Sequence, residues 1–379
     1  MSGGLPFRRH LRMTPLHAEV AMESRTNDWI ERNGFTMAGH LDTPETEVFA
    51  RYHRATLADI SSRRRYRIAG REAMDCLNRM VTSDISKLEE GHFSPVFFCE
   101  ENGLLVGEGS LARIGDTEFR LFTEEEVLSW LRRNSTGFQV HAEDVSAEGA
   151  GLELAGPLAE AVLDEAGFEP LRLLLAGHAQ TRELMGMPVL VLRHVGDVFE
   201  FWPEEDDAVP LWRHLMQAGR EAGLQAIGEK TRDLVRIDRG APRMGTDYLG
   251  ALSAVSHDHV RTPFEMPGEI NVDFDKPVFN GRAALRRMAV KSAGHRIVAL
   301  TVDDARDLTF AVVCKGERQV GVCTSFAFMP ETGQYLALAT VEAAACSAGD
   351  LTVEAEIRRE LAVWREKLPV RIRPRPENR

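Results

Sequence analysis

Residues 228–247 read GEKTRDLVRIDRGAPRMGTD. A charged turn leads into three apolar residues, Leu234, Val235 and Ile237, and the run breaks at Gly240, Pro242 and Gly245. Arg232, Asp233, Arg236, Asp238 and Arg239 share this stretch. Charges are seldom buried unless they are paired or hold a ligand. A solvated helix end with mutual ion pairs and a buried ligand-holding segment both fit these residues.

Working outward, Thr262-Pro-Phe-Glu265 follows about fifteen residues on. Upstream lie Leu57-Ala-Asp-Ile-Ser61, Tyr66-Arg-Ile-Ala-Gly70 and the run from Arg71 to Gly91, REAMDCLNRMVTSDISKLEEG. Downstream lie Phe279-Asn-Gly-Arg-Ala-Ala-Leu285, then Gly321-Val-Cys-Thr-Ser325 and Pro330. Together, in this order, these pieces resemble the glycine-cleavage T-protein (aminomethyltransferase) superfamily. The likeness runs from about Asp59 to the end of the chain. Arg8-Arg-His-Leu-Arg12 with Thr14-Pro15-Leu16 is similar to the opening of its tetrahydrofolate-dependent demethylase branch, of the dimethylsulfoniopropionate demethylase kind. A basic surface tail is the other reading of that segment.

The chain of 379 residues is long enough for two or three domains. Apolar residues make up 44% and charged residues 27%, as in a soluble globular protein. The formal net charge of -12 argues against a nucleic-acid-binding face. The five cysteines (Cys76, Cys99, Cys314, Cys323, Cys346) show no C-x-x-C spacing and read as reduced thiols of a cytoplasmic protein. No apolar run is long enough to span a bilayer, so no membrane partner is expected. The opening residues lack the apolar stretch of a secretory signal.

Strand signals fall at Arg65–Ala69, Val96–Cys99, Leu104–Ile114 and Phe119–Phe122, with helical periods over Glu45–Ala58, Glu72–Val81 and Glu124–Arg133. Asn102-Gly103 marks a hairpin. A second unit starts at Gly151, with a helix over Leu158–Ala166, strands at Val189–Arg193 and Val198–Trp202, and a helix over Val209–Ala222. From about Arg296 the chain is strand-rich, at Ile297–Val302, Thr309–Cys314, Gln319–Cys323, Tyr335–Val341 and Leu351–Ile357. Arg371 to Arg379 reads as a loose tail. The pattern predicts an α+β protein. The resemblance implies a three-domain clover-leaf aminomethyltransferase-like fold with a C-terminal antiparallel β-barrel domain. The expected segments are an N-terminal arm and helix (1–56), two α+β folate-binding domains (57–150 and 151–290) and the barrel (291–379).

There is no P-loop, Rossmann glycine fingerprint, H-E-x-x-H or G-x-S-x-G. His257 and His259 flank Asp258, a spacing that a surface turn explains better than a metal site, and no metal is expected. The resemblance implies tetrahydrofolate as cofactor. The pterin ring presents an N3–H and a 2-amino group side by side, and one carboxylate can accept from both. The family's pterin-binding Glu sits in a G-F-E strand, which falls on Val198-Phe-Glu200, so Glu200 is the expected folate residue. Arg232 and Arg236 match the family's R-D-x-x-R, to hold Glu200 or meet the folate tail. Asp238 stands where the family has Glu and is a catalytic candidate. The family's G-Y-T-G-E turn is replaced by His194-Val195-Gly196-Asp197.

The family's paired aspartates fall on Val106 and Gly107, and Glu108 comes one place later, where folate-dependent O-demethylases of the superfamily carry an acidic residue. Glu108 is therefore the second catalytic candidate. Ser61-Ser62 replaces the family's Ser-His. The first expectation is a methyl transfer from a small S-, N- or O-methyl donor to N5 of tetrahydrofolate, catalysed largely by orientation. A positively charged donor would favour aromatic faces, for which Trp202, Phe199 and Tyr248 are candidates, Trp202 also as a folate contact. The alternative is a glycine-cleavage aminomethyltransferase, which implies a lipoyl carrier protein as partner. A non-catalytic folate-binding protein is a third reading, and the absence of a cysteine in Val278–Leu285 disfavours its iron–sulfur-repair form.

Overall fold

The computed structural model describes residues 11–268, 271–291, 293–302, 309–346, 350–359 and 362–374. Two compact units interleave along the chain. One comprises the chain up to Tyr66 with Asp144–Thr231, and the other Arg67–Glu143 with Arg232–Arg379.

The first unit is built on a six-stranded sheet. Its strand order is Ala179–Leu184, Met187–His194, Val198–Trp202, Leu152–Ala155, Thr56–Asp59 and Gln225–Ile227. All neighbours are antiparallel except the last pair. The Val198–Trp202 strand is buried along its whole length. Its alternate residues Phe199 and Phe201 enter the apolar cluster with Leu57, Leu152, Leu154, Val191, Trp212 and Leu215. Glu200 and Trp202 therefore point to the other face. The N-terminal region contributes a small sheet of Arg12–Met13, Phe35–Ala38 and Trp29–Arg32, which weak periodicity had hidden.

The helix expected over 45–58 runs from Pro44 to His53, with Thr43 capping Thr46 N–H and Pro44 in the first turn. It stops early because Thr56–Asp59 is a strand buried between two others. The helix expected over 209–222 spans Glu205–Ala218 instead. Glu205, Asp206 and Asp207 start it, and their charges suit the helix N-terminus.

A five-stranded sheet has the order His92–Cys99, Leu105–Gly115, Glu118–Thr123, Arg64–Ala69, His141–Asp144. The Asn102-Gly103 turn joins its first two strands, and Gly103 takes φ +82° there. Residues 229–238 form one helix, and Leu234, Val235 and Ile237 are its buried stripe.

The C-terminal strands close into a six-stranded antiparallel barrel, in the order His295–Val302, Gln334–Glu342, Arg318–Met329, Thr309–Lys315, Leu351–Arg359, Ala362–Arg373. Leu300, Val302, Val313, Val341, Val353 and Leu368 fill it. The expected tail is partly wrong: Arg371 to Arg373 pair with Ala299–Thr301 and help close the barrel. Residues 375–379 of that tail, and residues 8–10 of the basic N-terminal segment, lie outside the described residues. The protein is thus α+β with a C-terminal antiparallel barrel. Among the described residues no helix is long and apolar enough to cross a membrane.

Candidate functional site

Glu200 is 3% exposed. Arg63 donates to its Oε1 at 2.6 Å, and the Trp202 indole N–H donates to its Oε2 at 3.2 Å. His194 Nε2 lies 3.1 Å from Oε1. Burial alone would push this carboxyl up. The Arg63 charge, with His194 and the Trp202 N–H beside it, outweighs burial and holds the group well below the usual carboxylate range. Glu200 is therefore ionised. Arg63 and His194 thus lie against one oxygen of the carboxylate and Trp202 against the other.

Local sequence explains how Arg63 reaches this carboxylate. Asp59 ends its strand, and its Oδ1 accepts from both the backbone N–H and the hydroxyl of Ser61. Thr14 Oγ1 donates to Asp59 Oδ2 at 2.6 Å. Gly151 N–H donates to Ser61 Oγ, and Arg63 N–H closes the turn onto Ile60 C=O. The D-x-S motif is thus a turn-building device that launches Arg63. Burial raises the pKa of Asp59, and the two hydroxyl donors only partly offset this. Arg65, from the following strand, stacks over the Trp202 ring at 5.1 Å and donates to the carbonyls of Ser146 and Gly149. Phe199 is elsewhere: it sits in the apolar cluster on the opposite face, with Arg193 4.1 Å over its ring.

A second cluster lies in the other unit. Glu108 is on the Leu105–Gly115 strand, opposite Phe97. Part of its surface stays open, but protein atoms surround the carboxyl closely. Burial, then the charges of Glu124 and Asp247, push it up to about 7, against the pull of the Tyr248 hydroxyl and the Met244 backbone. Tyr248 is 2% exposed, and its hydroxyl has no well-aligned hydrogen-bond partner. Burial first, then the Glu108 carboxyl, pushes the phenol well above its ordinary pKa. A carboxyl poised near neutrality is suited to proton exchange.

Asp247 underpins that cluster. Its Oδ2 accepts from Arg236 at 2.5 Å and from Arg243 N–H at 2.9 Å, and its Oδ1 accepts from the hydroxyls of Thr324 and Ser325, both at 2.6 Å. Arg236 also donates to Asp233, Ala241 C=O and Ser325 Oγ. The structure thus gives Arg236 an internal framework role, tying helix, loop and barrel strand together. Arg232 is half-buried on the same helix. Asp238 is bound to Arg373 at 2.8 Å, so it braces the last barrel strand.

The structure joins Glu200 to Trp202 and Glu108 to Tyr248. It leaves Asp238 and Phe199 outside both clusters. Sequence reading missed Arg63 and Asp247 as functional neighbours. Their only signal was that Asp59, Ser61, Asp247, Thr324 and Ser325 all fall in the quoted motifs.

The family model described as the GCVT N-terminal domain matches residues 16–258, more than half of the chain. An aminomethyltransferase of Moorella thermoacetica is 28% identical over 96% of this chain and 99% of its own. One from Thermoanaerobacter pseudethanolicus is 26% identical over 83% and 85%. The crystal structure of glycine cleavage system aminomethyltransferase T from Bartonella henselae superposes with a TM-score of 0.83 at 22% identity, covering 97% of this chain and 98% of that one. That last likeness speaks for the fold. With motifs in order along the sequence and a family match over most of both site-bearing segments, the chain belongs to the GCVT family, the T-protein superfamily of aminomethyltransferase-type enzymes.

Proposed function

We propose that this protein transfers a one-carbon unit to tetrahydrofolate, the methylene carbon of an aminomethyl group, with release of ammonia and of the thiol that carried the group. The observation that carries the reading is Glu200, a buried ionised carboxylate fixed by Arg63 on one oxygen and by Trp202 on the other. An ionised, fixed carboxylate is the group that can accept from a pterin N3–H and 2-amino group together. The residues present therefore fit the group. Tetrahydrofolate would supply the nucleophilic nitrogen. Glu200 would orient the ring, and Trp202 would flank it. Glu108, pushed up to about 7, would exchange a proton with the departing amine. The curated relatives carry the name aminomethyltransferase, which favours this donor. A lipoyl carrier protein is then the partner. Five free cysteines suit a reducing compartment, the cytoplasm.

The earlier expectation, demethylation of a small methyl donor, stands second. One observation favours it: Val106 is buried and apolar and Gly107 has no side chain, where the superfamily carries its aspartates. Product analysis separates the two. Incubation with tetrahydrofolate and an aminomethylated lipoyl carrier should give methylenetetrahydrofolate. If only sulfonium or quaternary-ammonium donors react, giving 5-methyltetrahydrofolate, the demethylase reading replaces it.

A further inference from the structure

We infer that Arg63 is the positioning residue of the pterin site, holding Glu200 ionised and fixed in place to accept from a ligand. The inference rests on the folate reading and adds a residue outside the R-D-x-x-R motif. The geometry is specific. Arg63 donates to Oε1 at 2.6 Å while the Trp202 indole donates to Oε2, so the two hold opposite oxygens of the carboxylate. It is itself held by the Asp59–Ser61 turn, whose hydroxyl and backbone bonds are all buried.

Charged and titratable groups surround Glu200 on several elements. Arg63 comes from the turn and His194 from the end of the Met187–His194 strand. Arg65 faces the same Trp202 that bonds Glu200, and Glu153 sits directly across on the Leu152–Ala155 strand. Burial disfavours the charged form of Glu200. Arg63 is the arginine bonded to the carboxylate, at 2.6 Å.

Without Arg63, burial would dominate and Glu200 would hold a proton at mildly acidic pH. A protonated carboxyl has lost an acceptor oxygen, so pterin binding would become pH-dependent. Affinity would then fall about tenfold for each pH unit below the new pKa.

The test is titration with 5-formyltetrahydrofolate, a stable reduced folate, from about pH 5 to about pH 8. The wild-type profile should be flat. Arg63→Met should bind well at the alkaline end and progressively lose affinity towards acid. Arg63→Lys, which keeps the charge, should restore a flat profile even if binding is weaker overall. A uniform loss in Arg63→Met with no pH dependence, or no loss at all, would overturn the inference. So would a Lys variant as acid-sensitive as the Met variant. If Arg63→Met does not fold, the Lys profile decides. Failure of the wild type to bind at any pH would sink the folate reading along with it.

Discussion

Arg63 and Glu200 form a 2.6 Å ion pair across 137 residues of sequence, and both side chains are largely withdrawn from water. Removing one partner of such a pair leaves a buried, uncompensated charge, which costs about 3–5 kcal/mol. Glu200→Ala should therefore lower unfolding stability by that order. The double variant with Arg63→Met should be less destabilised than the sum of the singles. Chemical denaturation of all four proteins checks this, and strict additivity would refute the coupling. The sign with pH follows from the lowered pKa of Glu200. Its contribution is present above the ordinary carboxylate range and is lost as pH falls below it.

Glu108 behaves oppositely. Its carboxyl is raised from 4.5 to about 7. Between those values the folded protein keeps the proton that the unfolded chain has released, so stability falls as pH rises through that window. Glu108→Gln should flatten this slope in a series of melting temperatures. In the transfer reaction the protonated form is the useful one, so turnover should fall as pH rises past about 7. The Gln variant should be slow and lack that limb. A wild-type rate that keeps climbing through neutrality would remove Glu108 from the proton-donor role.

Asp247 is saturated by Arg236, Arg243, Thr324 and Ser325. Asp247→Ala strands a half-buried guanidinium and two hydroxyls, and should cost about 3–5 kcal/mol. Ser325→Ala removes one hydrogen bond to a charged group and should cost about 1.5–3 kcal/mol. Equal effects of the two substitutions would contradict the hub.

Gly151 leaves no room for a side chain. A Cβ there would lie 2.4 Å from the Trp202 ring and 2.8 Å from Ile60 Cγ1. Gly151→Ala should push Trp202 off Glu200 and weaken folate binding as well as stability. Unchanged tryptophan fluorescence and unchanged binding would show that the indole is not positioned this way.

The sequence made the fold class legible because its periodicities are local. Leu77 and Met80, or Val198 to Trp202, carry their own pattern of burial. The first 56 residues resisted because a two-residue strand at Arg12–Met13 and a seven-residue helix at His17–Glu23 are too short to show a period. The last barrel strand was half-hidden because Arg371 and Arg373 are charged, although both pair with neighbours.

The site was legible only where a motif concentrates chemistry. Glu200 could be named from its strand, while Arg63 could not, because nothing local shows that a turn near residue 60 faces a strand near residue 200. Arg236 and Asp238, expected as site residues, take part in internal ion pairs, and such a framework uses the same residue types as a binding site.

The most direct measurement is isothermal titration of the protein with tetrahydrofolate under anaerobic conditions, beside Glu200→Ala. The account predicts saturable binding at micromolar concentrations by the wild type and its loss in a variant that still folds. Wild-type protein that binds no folate, or a folded Glu200→Ala that binds it equally well, would contradict the assignment of Glu200 as the pterin-holding carboxylate.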